Sequence, residues 1–409
     1  MKIQLWSIYY EPCRMGVAPV AASLARELVL RGHEVTVVAS HPHYPAPDWG
    51  TSWRVHREVR DGVNVIEIPV YPRRDTAIRR ALEELTYAVG QGAGSLRLPD
   101  ADALITTIPS VMALPTAEAF SRRRGIPWVI WLQDMISDAA AMTGLINNVW
   151  LERFLARIEQ RAYASASGIV SISNVFRDAL VRTGVPEERI ERIYLPPGQA
   201  TDSPSGPSRE PRVVVIGNIG LTQNLPAFVD AFQRSPALSE LGATLHITGD
   251  GVEAPAVRDA VDSGRVSVLG LVSPDELDRE LRASRVALVS QRPEIRDINL
   301  PSKLTTYMSY GLPVFGSLNP ESEAARLIES SGAGWVADSA DLDAACGRLA
   351  EVLRAEGELE RASAASRRFA DENFDPAAMA ARFEGVIERV ANGLPANESA
   401  AVSASVQSG

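Results

Sequence analysis

The most constraining feature of this chain is an alternation that recurs in both of its halves: a short apolar run, a stretch with helical spacing, then another apolar run. KIQLWSIYY reads as a strand, VAASLARELVLRGH carries apolar residues at helical spacing and stops at Arg31-Gly32, and EVTVVAS follows at once as a second strand. Strand, helix and strand within about 40 residues imply parallel pairing, because the helix has to cross over the sheet. The series continues through VNVIEIPV, ADALITT, the helix TAEAFSRRRG, PWVIWLQD, a long helix from about Val149 to Ala164, and GIVSIS. A second series starts at RVVVIGN and runs through LPAFVDAFQRS, ATLHITGDG, VSVLGL, SPDELDRELRAS, VALVSQ and LPVFGS. Helices over about Asp341 to Glu356 and Pro376 to Ala391 close it.

Between the two series lies TDSPSGPSREPR, with three prolines, a glycine and serines, which reads as a linker. The expected architecture is therefore α/β: two doubly wound domains, residues 1–200 and 212–375, joined by a linker at 201–211. A terminal helix at 376–391 follows, and a small, polar tail at 392–409 is expected to be disordered. Two such domains facing each other would form a cleft that the linker lets close.

Composition narrows the function. With 409 residues, 45% of them hydrophobic, the chain can bury two cores. Its formal net charge of -10 argues against general nucleic-acid binding, though not against a local basic pocket for one phosphate ligand. The two cysteines, Cys13 and Cys346, are neither a disulfide framework nor a metal cluster and fit a reducing compartment. The histidines form no pair at metal-ligand spacing, so no metal is expected. The N-terminus reads as a strand rather than a signal peptide, and no apolar run is long enough to span a bilayer. The expectation is a cytoplasmic protein, with contact to the inner face of a membrane left open.

In open α/β sheets, ligands bind beyond the carboxyl ends of the strands, so the strand exits carry the candidates. After the first strand, Gly16 can let backbone approach an acceptor or can serve an ordinary turn. After PWVIW, Asp134 can accept a proton or position a hydroxyl, with Asp138 one helical turn on; a helix cap is the bland alternative for Asp134. In the second half, Gly217, Asn218 and Gly220 follow the first strand, and Gly249 ends the next. Glycines there suit close approach to a diphosphate at a helix N-terminus, and a tight turn is the alternative at Gly249.

The densest cluster surrounds NLPSKLTTYMSYGLPVF, residues 299–315. Arg292, Arg296 and Lys303 fall within a dozen residues before or at a helix start, where cations and unpaired N–H groups together favour a phosphate. Ser302 and Thr306 add hydroxyls, and Glu294 and Asp297 could receive sugar hydroxyls. A charged surface loop is the competing reading. Two further features stay open: His41 and His43 after the second strand, as acceptor contacts or loop histidines, and the basic RRDTAIRR at 73–80, as a membrane or lipid-diphosphate contact or a surface helix.

YYEP…G…LARELVLRGHEVTVV, GNIGLTQN, LPSKLTTYMSYGLPV and SGAGWV together resemble glycosyltransferase family 4. They are most similar to its branch that builds capsular, O-antigen and colanic-acid type polysaccharides. The resemblance extends to about residue 390. It implies the GT-B fold, two Rossmann-like domains with the acceptor at the first and the nucleotide sugar at the second, and a last helix crossing back to the first domain. It also implies retaining, metal-independent transfer, with the cations near Lys303 neutralising the leaving diphosphate. Two glutamates common in the family fall here at Ile298 and Thr306, and Gln133-Asp134 stand where it often has a histidine. The resulting assignment places Asp134 and Asp297 as catalytic. Gly217, Asn218, Gly220, Gly249, Arg292, Arg296, Ser302, Lys303 and Thr306 would hold the donor, and Gly16 and Asp138 the acceptor. The donor is expected to be a UDP-sugar, the acceptor a lipid-linked glycan or small molecule, with no cofactor. An epimerase of nucleotide sugars and a non-catalytic sugar-nucleotide binder are the alternatives.

Overall fold

The computed structural model describes residues 1–13, 16–43, 53–72, 77–94, 97–108, 110–133, 149–197, 206–295 and 301–397. The chain forms two compact units. Unit 1 comprises Met1–Leu195 and Pro376–Gly409, and unit 2 comprises Pro196–Asp375.

Unit 1 is built on an eight-stranded sheet. Its strands are β1 (Lys2–Trp6), β2 (Glu34–Ser40), β3 (His56–Arg60), β4 (Val63–Ile68), β5 (Ala103–Ile108), β6 (Trp128–Leu132), β7 (Gly168–Ser171) and β8 (Ile190–Arg192). They lie in the order β3-β4-β2-β1-β5-β6-β7-β8, all parallel except β3. The central strands are buried on both faces, which is why WVIWL reads as a continuous apolar run rather than an alternating one. Helices α1 (Ala18–Leu30), α2 (Ala77–Gly94), α3 (Leu114–Arg124), α4 (Val149–Ser165) and α5 (Asn174–Arg182) make the crossovers.

Strand β3 was not expected from sequence. It pairs antiparallel to β4 through a two-residue turn in which Asp61 and Gly62 both have positive φ, 51° and 79°. An Asp-Gly pair between apolar runs is a hairpin signal, and it stands at these positions.

Unit 2 carries six parallel strands, β9 (Arg212–Ile216), β10 (Thr244–Thr248), β11 (Val266–Gly270), β12 (Val286–Ser290), β13 (Val314–Leu318) and β14 (Gly334–Asp338), in the order β11-β10-β9-β12-β13-β14. Its helices are α6 (Leu225–Arg234), α7 (Pro236–Glu240), α8 (Ala254–Asp259), α9 (Pro274–Arg282), α10 (Ser302–Ser309), α11 (Glu323–Ser331), α12 (Leu342–Arg354) and α13 (Glu356–Asn373). Strand order reverses between β9 and β12, so the exits of these two strands flank the crevice where a ligand is expected. Helix α13 was missed in the sequence because EGELERASAASRRFADEN is polar almost throughout. It buries a narrow stripe of Leu359, Ala362, Ala365 and Ser366.

The last helix, α14 (Pro376–Ala391), belongs to unit 1. It packs along α1 and buries Met379, Phe383, Val386 and Ile387. Phe383 meets Trp131 edge-on at 4.8 Å between centroids. Burying each such side chain contributes about 1.5–3 kcal/mol. Glu384 holds Arg31 and His33, and these partners draw its carboxyl below the usual range against the opposing effect of burial.

The expectation of disorder from residue 392 is corrected for its first six residues. Ala396 is fully buried, and Asn397 donates from its backbone to Glu188 O at 3.0 Å and from Nδ2 to Ile190 O at 3.1 Å. Those bonds anchor a polar sequence that composition alone marks as a tail. Residues 398–409 and 201–205 of the expected linker lie outside the described residues. The linker's remainder is held to unit 2 by Arg285, whose Nη1 donates to Ser208 O at 3.0 Å.

Candidate functional site

The carboxyl end of the unit 2 sheet gathers most of the residues assigned to the donor. Gly217 leaves β9 with φ +87° and donates to Thr248 O at 2.8 Å. Gly249 sits against it at φ +139°, where any Cβ would strike the Gly217 carbonyl. Gly251 is similarly closed in by the Ile219 backbone. Two strand exits therefore lie backbone to backbone, and only glycine permits this. Ile219 N donates to Asp250 O and Glu253 N to Ile219 O, which fixes the Gly217–Gly220 loop to the Gly249–Glu253 loop.

Helix α10 points its N-terminus into the same region. Its N-cap is Pro301, which offers no side-chain acceptor, so no side chain caps the first turn. Lys303 stands in that turn, half-buried, and donates from Nζ to Gln223 Oε1 at 3.0 Å. Burial pulls its ammonium down from the ordinary lysine value to about 8. A partly desolvated cation without a carboxylate among its described partners is poised to gain from an incoming anion. Tyr307, one turn on, accepts from Ile216 N at 2.9 Å and so locks α10 to the end of β9.

Gln223 joins these pieces, and sequence reasoning passed over it. Its Nε2 donates to Asn218 O, its Oε1 accepts from Lys303, and its carbonyl accepts from Ser290 Oγ at 2.7 Å. It precedes Asn224, whose positive φ of 53° starts α6. The signal was an amide two residues after Leu221 in a loop already marked by glycines. Glu253 was also missed. Its Oε1 pairs with Arg292 at 3.1 Å, while its buried Oε2 has no hydrogen-bond partner among the described residues.

The other assigned residues divide. Asn218 and Gly220 lie in the loop with Gly217. Arg292 is beside that loop, but its groups are engaged: the backbone N–H donates to Thr222 O, and the guanidinium reaches Leu221 O and Glu253. Ser302 is exposed at the first position of α10, whereas Thr306 is buried one turn deeper. Glu294 is in the described part of the loop. Gly16 lies in the turn before α1 with φ +59° and open space around it. Asp134, Asp138, Arg296 and Asp297 lie outside the described residues, as do Arg73 and Arg74 of the basic stretch.

In unit 1 the corresponding end of the sheet holds His41 and His43. His43 Nε2 is 2.6 Å from Glu83 Oε1, which also accepts from Tyr9 OH at 2.5 Å. His41 Nδ1 is 3.3 Å from Glu67 Oε2. Neither residue is a loose loop histidine.

Comparison with known proteins accords with this geometry. Residues 15–196 match the glycosyl transferase 4-like domain and residues 210–355 the glycosyl transferases group 1 domain. The chain belongs to the GT-B glycosyltransferases. It is 24% identical over 357 residues to WcaI of Escherichia coli (strain K12), assigned as a colanic acid biosynthesis glycosyl transferase, covering 81% of this chain and 86% of that protein. Similar solved structures include HepE of Anabaena in complex with UDP, with a TM-score of 0.60, 13% identity and 95% and 100% of the two chains covered. WaaG, a glycosyltransferase involved in lipopolysaccharide biosynthesis, gives 0.62, 15%, 94% and 99%. This glycosyltransferase thus places its glycine-lined, lysine-bearing crevice in the second of two doubly wound units. Among the described residues, no helix is long and apolar enough to cross a membrane.

Proposed function

We propose that the protein transfers a hexosyl group, with retention of configuration, from a UDP-sugar to a hydroxyl of a lipid-linked glycan or small acceptor. The observation that carries this reading is Lys303: a half-buried ammonium at an uncapped helix terminus, facing a glycine loop to which Gln223 ties it. As the bond from the sugar to the diphosphate breaks, negative charge grows on the leaving oxygen. Lys303 and the α10 terminus would stabilise that charge, and a preorganised donor of this kind supplies about 10²–10³ in rate. The acceptor oxygen bonds to the anomeric carbon from the same face, and its proton passes to the departing diphosphate. Because protein groups supply the positive charge, transfer would need no metal. Asp134 and Asp297 remain the proposed groups at the sugar and acceptor. HepE binds UDP, UDP-glucose, and UDP with glucose, which supports UDP as the first nucleotide to try.

The deciding experiment is calorimetric titration with UDP, GDP and dTDP in the presence of a chelator. The reading expects one nucleotide, UDP, to bind, and Lys303→Ala to abolish the signal. Undiminished binding by that variant removes the site from Lys303, and preference for another nucleotide replaces UDP.

A further inference from the structure

Strand β3 is one edge of the unit 1 sheet: β4 pairs with it on one side, and among the described residues no strand lies on the other. The hairpin fixes which backbone groups that outer side shows. Arg60 faces Val63 across the two-residue turn, so Arg60, Glu58 and His56 exchange their N–H and C=O groups with β4. Arg57 and Val59, opposite Ile66 and Asn64, aim theirs away from the sheet. Such an edge is a template for another strand. Proline, a bulge or an unbroken run of charge would blunt it. Here the register with β4 is continuous, the strand holds no proline, and Val59 stands 70% exposed in it, with Trp53 and Val55 exposed just before.

The sequence of the strand, HREVR, selects the partner. A second copy can add to this edge antiparallel about a two-fold axis normal to the sheet, which sets residues of the same face opposite one another. Three registers place a residue from the middle of the strand on that axis. One sets Arg57 against Arg57 and another Glu58 against Glu58, and like charges directly opposite are destabilising. The third sets Val59 against Val59 and each Glu58 against the partner's Arg60. In that register Val59 exchanges N–H and C=O with its counterpart, as its outward orientation requires. Glu58 and Arg60 already pair within one chain, and the register brings two such pairs together with their signs alternating. The sheet face beside the edge is open too: Arg57 and Val59 border a groove of about 470 Å³ with Thr36, Asn64 and Ile66.

We propose that the chain forms a two-fold dimer by antiparallel β3–β3 pairing with Val59 on the axis, which joins two eight-stranded sheets into one. A single pair of short strands is a small interface, so the dimer exchanges with monomer and has a micromolar dissociation constant. The pairing involves neither Lys303 nor the glycine loops, so its failure and the failure of the donor reading are separate results.

The test is sedimentation velocity of the full chain over a concentration series, where a reversible monomer–dimer equilibrium is expected. Val59→Pro should raise the dissociation constant about ten-fold or more, since the N–H that it removes faces the partner. Because that N–H makes no bond to β4, thermal unfolding of the variant should stay near wild type. Val59→Cys should cross-link under mild oxidation: opposite Cα atoms in such a pair lie about 5.5 Å apart, within reach of a disulfide. Cys13 and Cys346 are buried and do not compete. Arg57→Cys sets its two thiols about 13 Å apart along the strands and should not cross-link. A monomer throughout the series, wild-type association by Val59→Pro, or cross-linking by Arg57→Cys as readily as by Val59→Cys would each overturn the proposal.

Discussion

The carboxyl ends of the two sheets share a topology but carry opposite chemistry. In unit 1, strands β1, β2 and β4 end among His41, His43, Glu67 and Glu83, and the acids and bases there satisfy one another at 2.5–3.3 Å. In unit 2, β9, β10 and β12 end among Gly217, Gly249 and Gly251, with the ammonium of Lys303 held by a neutral amide. Doubly wound topology determines where a ligand can bind, and the side chains at the strand exits determine what kind. Among the described residues, the first end pairs its acids with histidines and a tyrosine, and the second holds an ammonium whose side-chain partner is a neutral amide.

The strongest way to break this contrast is Lys303→Ala. Turnover should fall about 10²–10³-fold, measured as kcat with saturating donor, while the thermal midpoint stays close to wild type or rises, because a partly desolvated charge is removed. A folded variant that keeps its activity would mean that the open end is not positive where it matters. Gly249→Ala comes next. A Cβ there strikes the Gly217 carbonyl at a φ that L-residues avoid, so a loss of about 2–4 kcal/mol is expected in denaturant unfolding.

On the closed side, His43→Gln should cost about 1–3 kcal/mol by disturbing a buried hydrogen bond, with UDP affinity unaltered in calorimetry. A change in nucleotide affinity would blur the division between the two ends. Gln223→Ala should lower UDP affinity about ten-fold by releasing Lys303 and the Asn218 carbonyl.

The smallest effect concerns pH. Burial holds the Lys303 pKa at about 8, below its usual 10.5. Its charged form therefore disfavours the folded state at pH below about 8, and that penalty fades as pH rises towards 10.5. A bound diphosphate reverses the preference by pairing with the ammonium. UDP affinity should then decline above about pH 8, and titrations in buffers of different ionisation enthalpy should show net proton uptake near that pH. Affinity independent of pH between about 7 and 9 would show that the ammonium does not meet the diphosphate.

Periodicity made both sheets legible in the sequence, since buried parallel strands such as WVIWL and RVVVI have no other reading at that length. Lys303 was legible because a cation beside Pro-Ser opens an otherwise apolar helix. Gln223 was not, because a glutamine has no local pattern. Its importance comes from three hydrogen bonds that form only after β9, β12 and α10 are assembled. The polar helix α13 and the ordered residues 392–397 were hidden for a related reason: a few buried contacts fix them, and composition averages those contacts away. Arg292 shows the converse, since its place near the site was readable but its engagement with Leu221 and Glu253 was not.

The return of α14 to unit 1 has a consequence for how the chain comes off the ribosome. Unit 2 is an insertion within unit 1, so the first unit to be synthesised is the last to be completed. Until residues 376–397 emerge, Trp131 lacks Phe383, His33 lacks Glu384, and the groove along α1 is open to water. The nascent chain must therefore carry a first sheet that lacks its last covering helix while its second folds. A stop codon near its end would spare the crevice of unit 2 and expose the core of the other unit to aggregation and proteolysis.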